Sequence, residues 1–332
     1  MGVVADRAPE PGPAVPTAAE LEQARARIAG RVHVTPLFTS RTLDEQLGCR
    51  VVLKCENLQK VGAFKARGAT NAVRSLTDEE AARGVLTHSS GNHAQALAFA
   101  ARARGIPCWV VMPHDAPAVK RAAVEGYGAT VIGCEPTVAD REATAARVAD
   151  ATGATFVHPY DDVRVIAGQA SVAAEILEQA PDVEAIYVPV GGGGLASGTC
   201  LTVAAATADG ARPAVAIHGA EPEGADDAAR SLEAGRLIGV EALPGGRADT
   251  VADGLRTSLS PRTFAILRAH VTGIHRVPDD DTLAWMRFLA ERVKLVVEPS
   301  GAVPLAALAR NAAAHVGTTV AVVLSGGNVT LP

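Results

Sequence analysis

The chain has 332 residues, 48% hydrophobic and 20% charged, which is enough apolar material for a sizeable core and excludes disorder as the global state. Lys and Arg number 31 against 36 Asp and Glu, and two Trp, three Tyr and six Phe are too few for base-stacking platforms. Together these counts argue against a dedicated nucleic-acid binder.

Residues 1–16 are rich in Pro and Ala, carry no apolar period and read as a loose tail with neither a secretory nor a myristoylation signal. A helix follows, capped by Thr17 with Glu20 three positions later, with Leu21, Ala24 and Ile28 on one face and Gly30 at its end. VVLKCE (51–56), GVLTHSS (84–90), PCWVVMP (107–113), ATVIGC (129–134) and TFVHP (155–159) read as strands separated by helices. AIYVPV (185–190), AVAIHGA (214–220) and TVAVVLS (319–325) continue the series. Apolar strands alternating with amphipathic helices predict an α/β protein with open parallel sheets covered on both faces. The units in 84–161 form a small domain inserted into a large one made of 17–83 and 162–332. The uncharged run Ala185 to Ala208 holds Pro189 and four glycines, so it reads as strand, loop and helix rather than a membrane span. Five scattered cysteines without a CxxC point to free thiols in a reducing, cytoplasmic setting.

Ligands of open parallel sheets sit at the carboxyl ends of strands. Four unusual loops fall there: SSGNH (89–93), GGGG (191–194), AEPEGADD (220–227) and SGGN (325–328). Gly191, Gly192, Gly193 and Gly194 at a strand-to-helix junction suit a phosphate. Gly191, Gly193 and Ala196 also fit G-x-G-x-x-A, which keeps an NAD-dependent dehydrogenase as an alternative. Against it, Asp209 follows a long Ala/Thr helix rather than a second strand, so no ribose partner emerges. Ser89, Ser90, Gly91 and Asn92 open a helix and offer more donors than a cap uses, a pattern suited to a small carboxylate. Lys65 follows Phe64. A lone lysine is ordinarily a solvated charge, but beside a phosphate site it becomes a candidate imine-forming nucleophile.

The motifs AFKARGATNA, THSSGNHAQAL, HPYDDVRVIAGQ, VGGGGLASG, AEPEGADD, VVEPSGAV and VLSGGN occur in this order over roughly residues 18–330. Together they resemble the fold-type II pyridoxal-phosphate enzymes, with their tryptophan synthase β-like architecture, in the serine racemase and serine/threonine dehydratase branch. The resemblance implies that Lys65 carries pyridoxal 5'-phosphate and acts as base at the substrate α-carbon. Phe64 would pack on the ring, Gly191 to Gly194 would hold the phosphate, Asn92 would face the ring oxygen and Ser325 the ring nitrogen. Ser89, Ser90, Gly91, Asn92 and His93 would form the substrate carboxylate loop. Glu221, the carbonyl of Ala225, and Asp227 would hold a structural Mg2+ or Ca2+.

The implied reaction is loss of water from a small β-hydroxy amino acid, giving a 2-oxo acid and ammonia. Ser325 cannot stabilise a protonated ring nitrogen as an aspartate would, which favours expulsion of the β-hydroxyl. Ser90 stands where racemases have a serine and typical threonine dehydratases an alanine, so racemisation is a second outcome. Tyr160 in HPYDD departs from the HPN of animal serine racemases and resembles dehydratases. Serine, threonine and threo-3-hydroxyaspartate all remain open as substrates, and so does nucleotide activation. No isoleucine-sensing regulatory domain is expected, and a homodimer is expected by analogy. Arg141 reads as an exposed arginine, the cysteines as small buried hydrophobes. Glu298 has two readings: a hydrogen bond near the cofactor, or a helix cap through Ser300.

Overall fold

A computed structural model describes residues 13–210 and 212–330. Most of the tail read in 1–16 therefore lies outside the described residues. Among the described residues, ten strands build two sheets. They are β1 (Leu37–Phe38), β2 (Arg50–Cys55), β3 (Val85–His88), β4 (Cys108–Pro113), β5 (Thr130–Cys134), β6 (Thr155–Phe156), β7 (Ala185–Pro189), β8 (Ala216–Pro222), β9 (Gly273–Val277) and β10 (Thr319–Leu324). The six-stranded sheet runs β1-β2-β10-β7-β8-β9 and the four-stranded sheet β5-β4-β3-β6. All pairs are parallel except β1 with β2, where Leu37 faces Lys54.

The apolar runs explain the central positions. Every residue of β7 and β10 is buried, because helices cover both faces of the six-stranded sheet. Leu305 and Val303 of helix Pro299–Arg310 pack on one face with Val320 and Val322. Ala196 and Cys200 of helix Gly194–Thr207 pack on the other with Val188 and Val323. Two strands escape the sequence reading. β1 is a two-residue edge, and β9 (GIHRV) carries His275 and Arg276 at the opposite edge, where a half-exposed strand needs no apolar run. The capping box of helix Ala18–Ile28 is present, with the Thr17 N–H donating to Glu20 at 2.8 Å, and Leu21, Ala24 and Ile28 are buried. All five cysteines are free and buried. Among the described residues no helix is long and apolar enough to cross a membrane.

Candidate active site

The segments that follow β2, β3, β6, β7 and β10 meet in one cleft. Helices Lys65–Ser75, Asn92–Arg104 and Gly194–Thr207 begin there, and none has a side-chain cap among the described residues. In the first of these helices the N–H groups of Ala66 and Arg67 bond back to the carbonyls of Ala63 and Phe64, and that of Gly68 to Gln169 Oε1, so only the N-termini of the other two are candidates to face an anion. The N–H groups of Gly191, Gly192, Gly193 and Gly194 make no turn or cap bond to a described backbone carbonyl. Gly193 adopts φ +83°, and a Cβ on Gly192 would lie 2.3 Å from the Tyr160 ring, so side chains are barred from this loop. The cradle is thus made of backbone donors with an aromatic ring beneath it, which fits a phosphate.

Lys65 opens its helix half-buried, and its Nζ donates to the Pro159 carbonyl at 2.7 Å. Burial brings its pKa down to about 8, with Glu298 pulling slightly the other way. Phe64 is partly buried against the core, with Lys65 Nζ 5.1 Å from its ring centroid. The Phe64 N–H donates to the carbonyl of Ser325, itself buried, at 3.1 Å. The lysine and the serine predicted to share one ligand therefore lie on adjoining segments.

Asn92 is held on both sides. Its Nδ2 donates to Glu298 Oε1 at 2.9 Å, and its Oδ1 accepts from Asn328 Nδ2 at 2.9 Å. Both ends of the amide are thus engaged, which fixes its orientation in the cleft. Burial pushes the Glu298 carboxyl up to about 7. The hydrogen bond resolves the two readings of Glu298: it makes no side-chain cap, while Ser300 Oγ accepts from the Gly254 N–H at 3.0 Å. Ser89 Oγ accepts from the Gly91 N–H at 3.3 Å, whereas the Ser90 hydroxyl is half-buried and makes no bond among the described residues. His93 is buried, its Nε2 3.2 Å from the Val157 carbonyl. Burial, and then the charge of Lys65, hold its pKa well below the usual imidazole value. Its side chain is turned into the core, so what it offers the loop is backbone.

The HPYDD run supplies the far wall. His158 stands edge-on to Tyr160 at 4.5 Å and accepts the Asp161 N–H at 2.8 Å. Asp161 pairs with Arg262, and Asp162 caps the next helix by accepting the Arg164 N–H at 2.8 Å. The two acids are structural, a role the local sequence does not announce. Arg141 corrects an expectation. It is half-buried rather than exposed, its Nε is buried without a partner, and its charge, after burial, depresses the neighbouring His88.

Beyond β8, Glu221 is buried and its Oε1 accepts the Ala229 N–H at 2.8 Å, while Asp227 Oδ2 is buried with no partner. Burial raises Glu221 well above the carboxylate range and Asp227 to about 7. No group of three or more His, Cys, Asp or Glu that would hold a metal ion occurs among the described residues. The loop offers two carboxylates and the buried Ala225.

Comparison with known proteins agrees with this geometry. The family model described as "Pyridoxal-phosphate dependent enzyme" matches residues 28–326. The chain is 46% identical over 317 residues to the beta-hydroxyaspartate dehydratase of Paracoccus denitrificans, covering 96% of this chain and 98% of the relative. The structure of maize serine racemase superposes with a TM-score of 0.90 at 41% identity, over 96% of this chain and 95% of the other. The serine racemase of Dictyostelium discoideum gives 0.89 at 41% identity, over 96% and 100%. A free-donor glycine cradle, a desolvated lysine and a match along almost the whole chain agree: the protein belongs to the pyridoxal-phosphate dependent enzyme family.

Proposed function

We propose that the protein removes water from L-serine- or L-threonine-type β-hydroxy amino acids, giving a 2-oxo acid and ammonia, with racemisation as a second outcome. The observation that carries this reading is Lys65: a desolvated amine with a pKa of about 8, bonded to the carbonyl of Pro159, whose neighbour Tyr160 packs on the glycine cradle. Gly191 to Gly194 would hold the cofactor phosphate, Asn92 would face the ring oxygen and Ser325 the ring nitrogen, and Phe64 would pack against the ring. Bound pyridoxal phosphate supplies an electron sink for the bonding pair left at the α-carbon. Lys65 would take the α-proton there, the β-hydroxyl would leave so that the α-proton and hydroxyl together make up the water lost, and one water would then hydrolyse the released enamine to the 2-oxo acid and ammonia. Ser89, Ser90 and Gly91 bind the α-carboxylate with the N-terminus of helix Asn92–Arg104. A Ser90 hydroxyl with no bond among the described residues supports return of a proton from the other face, which is the racemase outcome.

A second substrate reading, threo-3-hydroxyaspartate, rests on Arg141. A half-buried guanidinium with an unpartnered Nε, near the wall of His88 and His158, suits a β-carboxylate. The orphaned Asp227 Oδ2 fits a cation, so Glu221, Asp227 and the Ala225 carbonyl would hold Mg2+ or Ca2+ and brace the loop below Tyr160. The four-stranded sheet supports the division into a small domain, 84–161, and a large one. The free buried thiols support a cytoplasmic setting, and a homodimer is carried over from the family resemblance.

The test reconstitutes the protein with pyridoxal phosphate and assays ammonia, oxo acid and D-serine over serine, threonine and threo-3-hydroxyaspartate. Lys65→Ala is expected to remove both the yellow absorbance and activity. Arg141→Met is expected to lower kcat/KM about 100-fold for hydroxyaspartate alone, as loss of a charged hydrogen bond implies. A wild-type protein that stays colourless with the cofactor sinks the proposal.

A further inference from the structure

Two residues beyond Lys65, Arg67 is the largest fully buried side chain among the described residues. Its Nε donates to Glu56 Oε2 at 2.7 Å, Nη1 to Glu175 Oε1 at 2.6 Å and Ser171 Oγ at 3.1 Å, and Nη2 to Glu56 Oε1 and Glu175 Oε2, both at 2.8 Å. Lys54 Nζ closes the cluster on Glu175 Oε2 at 2.6 Å. Two cations face two carboxylates, and every guanidinium nitrogen has a partner. Such a buried set is weak evidence for stability, since apolar residues of equal volume serve a core as well or better. What it does supply is a unique geometry.

That geometry bears on the lysine. Positions two apart on a helix point about 200° from one another, so Lys65 faces the cleft while Arg67 anchors the opposite side of the same turn. Phe64 gives that turn no side-chain cap, and the guanidinium ties it to two other segments, those of Glu56 and Glu175. Glu56 follows β2, and Glu175 lies on helix Val163–Gln179, which begins just after the HPYDD turn whose Pro159 carbonyl receives Lys65. Contact at the next residue is equally tight. The Gly68 N–H donates to Gln169 Oε1 at 3.1 Å, and a Cβ on Gly168 would lie 2.6 Å from Gly68 Cα. The first turn of the lysine's helix is thus referenced to the same helix that follows the lysine's acceptor.

We propose that Arg67, through Glu56 and Glu175, is a positioning residue that fixes where Lys65 Nζ stands relative to the cofactor. This rests on Lys65 being the cofactor lysine, whichever amino acid is the substrate. The experiment uses the holoenzyme of Arg67→Lys, which keeps the charge but loses the fork, together with Ser171→Ala, which removes one contact and leaves both carboxylates in place. The readouts are the pH midpoint of the cofactor absorbance, kcat and KM separately, and melting temperature. In Arg67→Lys the absorbance is expected to survive with a displaced midpoint and kcat to fall about 10–100-fold, the scale of a misplaced catalytic group, with KM changed less. Ser171→Ala is expected to shift the midpoint the same way by less, and it carries the test should Arg67→Lys not fold. Lower melting temperatures with an unchanged midpoint and unchanged kcat would make the cluster merely structural and overturn the proposal. Absorbance that persists in Lys65→Ala overturns the cofactor reading instead, and this one with it.

Discussion

Two buried groups of charges flank the cleft and are built on opposite plans. Around Arg67, two cations and two carboxylates close on one another. Burial alone would raise Glu175, but Arg67 and Lys54 more than offset it and hold the carboxyl below its usual value. Around Asp227, Glu221 and Asp227 are buried with no cation between them among the described residues, both are pushed upward, and Asp227 Oδ2 has no partner. Their neighbour Asp226 shows the difference within one loop. Arg230 and Arg276 hold it below the usual range against its own burial. A closed group defines a geometry; an open one leaves its buried carboxyls uncompensated.

The largest effect is expected where the closed group is opened. Glu56→Ala leaves the Arg67 Nε and one side of Nη2 facing a void, a loss of about 3–5 kcal/mol in denaturant unfolding. A loss under about 1 kcal/mol would mean that water enters and the group is not closed. Filling the open group comes next. Mg2+ or Ca2+ at about 100 times its dissociation constant is expected to stabilise the protein by ~2.7 kcal/mol. The same titration of Asp227→Asn is expected to show no gain, and an equal gain would place the cation elsewhere.

Without cation, pH separates the two groups by sign. The folded Asp227 keeps its proton up to about 7, while in the unfolded chain it ionises from about 3.8, so its contribution to stability falls as pH rises across that window. Glu175 behaves oppositely, its contribution being present above 4.5 and lost as pH falls below it. Asp227→Asn is expected to flatten the melting profile between pH 4 and 7 by on the order of 1–3 kcal/mol; an unchanged slope breaks the contrast. The smallest effect belongs to the exposed pair Arg50–Asp182, where Asp182→Ala is expected to cost under about 1 kcal/mol. A larger loss there would show that burial is not what separates these groups.

Much of the candidate site was legible because its parts are local. The Ser89–His93 loop, the four glycines and Ser325 each follow an apolar strand, Lys65 comes two short turns after β2, and strand order brings these segments together. Glu298 was visible, yet its partner was not, because Asn92 lies 206 positions away in the chain. Arg141 was misjudged for the same reason. On an amphipathic helix an arginine reads as solvated, and only packing buries its Nε. Tyr160 looked like a departure from a motif, and its role as the floor of the glycine cradle emerges only in three dimensions.

By itself the amino-acid order determined the alternation of apolar strands and helices, the uncapped glycine turn and the aromatic–lysine pair, since each depends on neighbours a few bonds apart. The tertiary structure decided which charges are neutralised and which stand alone, and which residues hold the Asn92 amide. Those outcomes depend on desolvation and on contacts between segments far apart in the chain, which no local pattern encodes.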